Sequence, residues 1–265
     1  MRKIALALMT SVFLIGCNND DDTQPAVVEV SVDFTFTQNW DGDPIENSDF
    51  DIPQYTNENG EMMSISKLVY LISDVTFISL STGVTYDAGD YNLINVRDQT
   101  NLTFTPDIEI PEGDYIVSFT FGFDDEDNQD GIYQDLNSAD GGWNVPMMLG
   151  GGYHYMRLEG KFIDDTGSLE NYAYHTIRAA DTSTDPVTLQ DTSFEVGLGQ
   201  ITIGSSTNIE VQMNVAEWFK NPNTWDLNVL STVLMPNFDA QIMMFENGST
   251  FSNSQGAFSL GSVTQ

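Results

Sequence analysis

The chain has 265 residues, of which 40 are acidic and 8 are basic, so its formal net charge is −32. Such a surface repels phosphate backbones and anionic lipid headgroups, which excludes nucleic acid as a class of partner. Hydrophobic residues make up 40% of the chain, and about 240 residues after the N-terminal leader can form one large β domain around a real core.

The first residues predict a secretory signal. The stretch MRKIALALMTSVFLIGC begins with Arg2 and Lys3, continues with an apolar run, and places Gly16 before Cys17. The run is too short to cross a membrane as a helix. The segment LIGC resembles a lipobox, so we expect residues 1–16 to be removed and Cys17 to carry lipid. Because Cys17 is the single cysteine, neither an internal disulfide nor a thiolate ligand is expected.

Residues 17–27 predict an acidic tether. The stretch NNDDDTQP follows the cysteine directly and resembles the signal that sends lipoproteins to the outer surface in one group of Gram-negative bacteria. A solvated linker is the other interpretation. We therefore expect an outer-membrane lipoprotein that faces the cell surface or the periplasm, with one folded domain over residues 28–265.

Apolar residues at period two predict an all-β domain, sandwich-like or barrel-like, with one or two short helices. The stretches VVEVSVDFTF and DYIVSFTFGF alternate clearly, and SISKLVYLISDVTFISLSTG indicates a long buried strand or a bent pair. Further strands are predicted at 108–110, 153–163, 172–180, 194–196, 208–214 and 241–246. The segment NVAEWFKNP, which ends at Pro222, predicts a short helix.

The two histidines of the chain, His154 and His175, lie on predicted strands that a short turn joins. Alternation in YHYMRLEGKF places His154 on one face together with Met156. A turn centred near Asp165 and Thr166 would make the histidines diagonal neighbours, about 7–8 Å apart, whereas a shift of one residue would separate them. Two neutral imidazoles with a thioether suit copper, so His154, His175 and Met156 form a candidate metal site. Two structural histidines and a core methionine are the alternative.

The acidic segment FDDEDNQDGIYQDLN is a second candidate for a metal site. It does not follow the EF-hand pattern, because Asn137 stands where the bidentate acid is required. A looser calcium site within residues 124–131 is one interpretation, and a solvated acidic loop is the other. The candidate calcium ligands are Asp124, Asp125, Asp127 and Asp130.

The sequence shows no enzyme signature among the patterns that carry a known mechanism. It has no glycine-rich phosphate loop, no G-x-S-x-G elbow and no H-E-x-x-H helix. We therefore expect a binding protein without catalytic residues. An alternative to metal binding is a surface module that recognises glycan or protein through an aromatic face. That face would consist of Trp143, Tyr153, Tyr155, Tyr172 and Tyr174.

One long segment, GWNVPMMLGGGYHYMRLEGKF followed by a tyrosine-rich strand ending in YHTI, carries a family resemblance. Five further stretches accompany it in a fixed order, namely NENGEMMSISKLVYLISDVTF, YNLINV, IPEGDYIVSFTFGFD, IEVQMNVAEWFKNP and AQIMMFENG. Taken together, they resemble the MbnP-like copper-binding family of secreted and lipid-anchored bacterial proteins. The matching stretches lie between Val30 and Gly248.

The resemblance implies a mostly-β domain that binds copper outside the cytoplasm. In relatives the ion is held by histidines and by a tryptophan oxidised to kynurenine, and a di-haem protein of the peroxidase type is associated with that oxidation. Carried onto this sequence, the ligands would be His154 and His175, with Trp143 the nearest tryptophan. The Trp-x-His arrangement of those relatives is missing, because Gly152 and Ala173 stand two residues before the histidines.

Overall fold

A computed structural model describes residues 28–250 and 256–265 of the chain. The predicted signal peptide, Cys17 and the tether up to residue 27 lie outside these residues. Seventeen strands occur in the described part. In chain order they are β1 (Glu29–Val30), β2 (Asp33–Trp40), β3 (Asp43–Pro44), β4 (Tyr55–Thr56), β5 (Met62–Ser79), β6 (Thr85–Asp87), β7 (Tyr91–Asn95), β8 (Thr103–Phe104), β9 (Ile110–Pro111), β10 (Gly113–Phe121), β11 (Met156–Ile163), β12 (Leu169–Thr176), β13 (Ala179–Asp181), β14 (Thr188–Gln190), β15 (Phe194–Ile203), β16 (Asn208–Asn214) and β17 (Phe258–Thr264).

Helical structure is limited in the same residues to one α-helix, α1 (Phe238–Gly248), and four 3₁₀ segments. The 3₁₀ segments are Asn47–Asp49, Ala139–Gly141, Met147–Leu149 and Val215–Phe219. The last of them corresponds to the short helix predicted before Pro222. None of the helices seen in the described chain combines the length and the apolar character that crossing a membrane requires.

The prediction of a strand at 241–246 is wrong, because these residues belong to α1. The side chain of Asn237 accepts a hydrogen bond from the Ala240 N–H and caps the first turn of this helix. Ala240 and Met244 lie one turn apart and are both buried. A short apolar run such as QIMMF fits either a strand or a buried helix, so the cap is what distinguishes them.

Two large sheets pack face to face and form a sandwich, so the all-β prediction is confirmed. The first has the order β12-β11-β5-β10-β15, and β4, β6 and β7 also pair with β5. The second has the order β17-β16-β2-β3, and β8 also pairs with β2. Two short pairs, β1-β9 and β13-β14, complete the pairing. Because β5 is 18 residues long, it pairs with most strands of the first sheet.

Aromatic side chains fill the space between the sheets. Phe34 of β2 contacts Phe77 of β5 at 6.2 Å between ring centroids. Phe36 contacts Tyr70 edge to face at 6.4 Å. Pairs of this geometry add to the stabilisation that the burial of their apolar surface already provides. We call this cluster the sandwich core.

The outer face of β5 is also buried, beneath the long connection between β10 and β11. Val69 and Leu71 of β5 point outward there and pack with Trp143 and Tyr153 of that connection. Tyr70, between them in sequence, lies in the sandwich core. We call this second cluster the outer core. It covers the sheet next to β11 and β12, the two strands of the histidine hairpin.

Candidate functional site

A break in strand alternation determines where His154 points. Tyr155 and Met156 are consecutive residues, yet both side chains lie in the sandwich core. The Tyr155 N–H donates to the Thr176 carbonyl at 2.9 Å, and Met156 is the register partner of the same Thr176. Two residues of one strand therefore oppose one residue of the other, which is the arrangement of a β-bulge. His154 consequently lies on the outer face, where its ring contacts Trp143.

The hairpin register shows why this bulge matters. The turn is centred on Thr166, and His175 lies opposite Arg157 on the outer face of β12, whereas Met156 faces inward. The prediction that His154 and Met156 share a face is therefore wrong. With regular alternation this register would have separated the two histidines, and the bulge reverses that outcome.

The two imidazole rings meet on the outer face of the hairpin. Their centroids are 5.6 Å apart and their planes are inclined at 80°. His154 is buried, with 3% of its surface exposed, and the side chain of His175 is 18% exposed. One imidazole of the pair thus lies inside the protein and the other lies at its boundary with solvent.

Hydrogen bonding fixes the tautomer of His154. Its Nδ1 lies 2.8 Å from the carbonyl oxygen of Trp143. A carbonyl only accepts, and Nη2 of Arg157, the other polar atom near Nδ1, lies farther away and donates to the Gly142 carbonyl, so Nδ1 carries the proton and Nε2 keeps its lone pair. That lone pair faces the Met235 sulfur at 3.2 Å, and a thioether has no proton to donate. Two atoms that can act as metal ligands, each with a free lone pair, therefore face each other without a proton between them. This arrangement suits a soft cation.

His175 is held by a carboxylate. Its Nε2 lies 2.9 Å from Oε1 of Glu159, the residue two places after Arg157 on the outer face of β11. This hydrogen bond lowers the pKa of the Glu159 carboxyl, so the carboxylate accepts and Nε2 donates. The nitrogen that keeps a lone pair is then Nδ1. A carboxylate that orients an imidazole in this way is a common second layer behind metal ligands.

The environment keeps His154 neutral. Burial, together with the nearby charge of Arg157, lowers the pKa of His154 from 6.5 to about 3. The Nη2 atom of Arg157 lies 3.3 Å from Nδ1 of the imidazole. Neutral imidazole is the form that binds metal ions, so His154 needs no deprotonation before it can act as a ligand.

Trp143 contacts both the guanidinium group of Arg157 and the imidazole of His154. The guanidinium carbon is 4.7 Å from the indole centroid, a cation–π contact, and the imidazole centroid is 5.6 Å away. The indole Nε1 is buried and has no hydrogen-bond partner in the described part of the chain. The other tryptophans, Trp40, Trp218 and Trp225, all lie in the sandwich core.

Opposite charges are paired around the site. Lys67 and Arg157 both bind Oδ2 of Asp140, at 3.0 and 3.1 Å. Lys67 also lies 3.9 Å from Glu159. Although the protein has a net charge of −32, positive and negative side chains nearly cancel in the neighbourhood of the histidines because of these pairs.

The acidic loop at 124–131 has protein partners in place of a calcium site. The Asp127 N–H binds Asp124, Arg178 pairs with Asp125, and the Gly152 N–H binds Asp130. Across residues 28–250 and 256–265, no three His, Cys, Asp or Glu side chains come together as ligands for a metal ion. The loop therefore gives no support to calcium binding.

The predicted aromatic binding face is wrong, because its members are buried. None is more than 2% exposed: Trp143, Tyr153, Tyr155, Tyr172 and Tyr174. The Tyr174 hydroxyl, for example, donates to the Trp218 carbonyl inside the protein at 2.8 Å. Stacking on a glycan requires an accessible ring face, so this surface is not available for it.

Met235 is the contributor to the site that sequence patterns do not reveal. It lies in the connection between the 3₁₀ segment Val215–Phe219 and α1, far along the chain from both histidines. Its one sequence signal is a methionine in the short stretch TVLMPN, where no strand or helix pattern requires a core residue. Only the fold brings it against His154.

Comparison with known proteins gives a family and a fold. Residues 29–238 match the model of the family described as MbnP. The solved structure of MbnP from Methylosinus trichosporium is similar to this chain with a TM-score of 0.51 and 12% sequence identity, over 76% of this chain and 81% of that one. At this identity the similarity supports the fold alone. None of the curated proteins compared with the chain matches it.

The depressed pKa of His154 predicts a pH dependence of stability in the metal-free protein. The unfolded chain binds a proton at His154 below its ordinary pKa of 6.5, while the folded protein does so only near 3. Stability is therefore lost as the pH falls through this interval. Between pH 7 and pH 5 the loss attributable to His154 should be about 2 kcal/mol.

Urea denaturation of wild type and His154→Gln at the two pH values measures this loss. The other titrating groups are shared, so the difference between the two proteins isolates His154. Equal pH dependence in both would contradict the neutral, buried state of this imidazole.

Proposed function

The chain belongs to the MbnP family, and on this premise we propose that it is a non-enzymatic protein that binds copper outside the cytoplasm. One observation carries the proposal: the Nε2 lone pair of neutral His154 faces the Met235 thioether. His175 and Trp143 lie directly beside that pair. Copper would be cargo for this protein, to be held and passed on.

The proposed ligands are His154, His175 and Met235. Imidazole and thioether donors together favour copper, and the thioether favours its cuprous state. The ligands carry no net charge, so a bound ion keeps its own positive charge. The carboxylate of Glu159 lies behind His175 and would offset that charge.

Copper affinity tests this ligand set. Met235→Leu should weaken cuprous binding by roughly tenfold or more, equivalent to about 1.4 kcal/mol, because a soft donor is replaced by a hydrocarbon. The double variant His154→Ala, His175→Ala should lose binding altogether. Competition of the purified protein with a cuprous chelator measures both.

Met156→Leu is the matched control, since it removes a thioether from the sandwich core beside the site. Its cuprous affinity should equal that of wild type. Equal affinities for Met235→Leu and wild type would exclude Met235 as a ligand, and absence of copper binding by wild type would overturn the proposed function.

We further propose Trp143 as the residue that is oxidised, as family resemblance implies, with a di-haem peroxidase-type protein as the partner that accepts its electrons. One observation supports this choice: among the described residues, Trp143 is the tryptophan whose ring contacts His154. Peptide mass spectrometry of protein from its native cells should find the mass of kynurenine in place of that of tryptophan at Trp143. Trp218 and Trp225 serve as internal controls, and modification there with an intact Trp143 would contradict the assignment.

The predicted leader supports a lipid-anchored location at the outer membrane, on its surface or on its periplasmic side. A net charge of −32 keeps the domain soluble and attracts cations to it. In membrane fractionation, wild type should sediment with membranes and Cys17→Ser should not, because the variant has no residue to lipidate. Recovery of both proteins in the membrane fraction would contradict the anchor.

A further inference from the structure

A buried amide of α1 connects the two chain segments that carry His175 and Met235. Gln241 is 1% exposed. Its Nε2 donates to the carbonyl oxygen of His175 at 2.9 Å and to that of Leu234 at 3.2 Å. Its Oε1 accepts from the Ile177 N–H at 2.9 Å. All three groups are backbone groups, so the Gln241 amide binds the main chain of the His175–Ile177 segment and the main chain at Leu234.

The two carbonyls belong to different parts of the site. One is that of His175 itself, near the end of β12, and the other precedes Met235 directly. A planar amide offers its donors in fixed directions. Gln241 therefore sets the spacing between the backbone of one histidine and the backbone next to the thioether.

The segment before Met235 is also strained. Val233 has a φ of 58°, a left-handed conformation that a β-branched residue rarely adopts. Anchors on either side hold it there, the Ser231 carbonyl that accepts from the Ala173 N–H at 2.7 Å and the Leu234 carbonyl bound by Gln241. Such strain persists only where the surroundings over-determine the backbone. Loss of the second anchor would let this segment relax and move Met235.

We propose that Gln241 is a positioning residue of the site, which holds the Met235 thioether against His154. This inference rests on the proposed copper function and adds to it a residue that touches neither the ion nor a ligand side chain. Gln241 would act as residues behind metal ligands do: its loss leaves the ligand atoms in the protein but moves them out of position.

Asn247 provides a matched control on the same helix. It is fully buried, donates to the carbonyls of Trp218 and Asn223, and accepts from the Asn223 N–H. Asn247→Ala therefore removes an equal number of backbone contacts without involving either segment of the site. A second test variant, Gln241→Leu, fills most of the same space and removes the donor to both carbonyls, so it serves if Gln241→Ala does not fold.

The first experiment needs no metal. Metal-free protein is treated with dilute hydrogen peroxide, and sulfoxide formation at Met235 is followed by peptide mass spectrometry. Gln241→Ala should oxidise at Met235 several-fold faster than wild type, since the thioether is released from its contact. Asn247→Ala should match wild type, and buried Met156 reports any general loosening. An unchanged rate at Met235 in a folded Gln241 variant would overturn the inference.

The second experiment measures cuprous affinity of the same proteins by competition with a chelator. Gln241→Ala should bind about 10- to 100-fold more weakly than wild type, and Asn247→Ala should bind equally well. An equal loss in both variants would mean that helix stability, and not positioning, is responsible. If wild type binds no copper the proposed function fails, while the peroxide experiment still decides the role of Gln241.

Discussion

The bulge formed by Tyr155 and Met156 against Thr176 is the constraint on which the site depends. It turns both side chains into the sandwich core and so leaves His154 on the outer face of the sheet. The chain just before it is fixed by Asn128, whose Oδ1 accepts from the Tyr153 N–H at 2.8 Å. A Cβ at Gly152, whose φ is 82°, would lie 2.3 Å from that same oxygen. A glycine is therefore required where the chain enters the bulge.

Once His154 is on the outer face, its neighbours follow from the fold. The carbonyl of Trp143 accepts from both the backbone N–H and the ring Nδ1 of His154, so one group positions the backbone and selects the tautomer. Arg157 then covers the indole and helps to keep the imidazole neutral. The acidic surface of the protein attracts cations over long distances, while the site itself presents neutral donors.

Much of the fold was predictable because alternation reports local structure directly. The strand predicted at 208–214 agrees with Asn208–Asn214, and the hairpin that carries the histidines was visible in its polar turn. The buried tyrosines were misjudged because alternation separates two faces of a strand but does not say which face is solvated. Tyr155, Tyr172 and Tyr174 lie in the sandwich core, and Tyr153 packs in the outer core beneath the β10–β11 connection. Placing His154 with Met156 was also wrong, since a bulge leaves no mark on the period-two pattern. Met235 and Gln241 are beyond sequence analysis, because long-range packing alone brings them to the hairpin.

We propose that the His154 and His175 imidazoles and the Met235 thioether together hold copper. X-ray absorption at the copper K edge, recorded on purified protein loaded with one equivalent of cuprous ion, tests it most directly. We expect the nearest neighbours of the copper to include imidazole nitrogen and one sulfur scatterer, with the sulfur missing in Met235→Leu and retained in Met156→Leu. A first shell of oxygen and nitrogen alone in wild type, or a sulfur signal that survives in Met235→Leu, would contradict it.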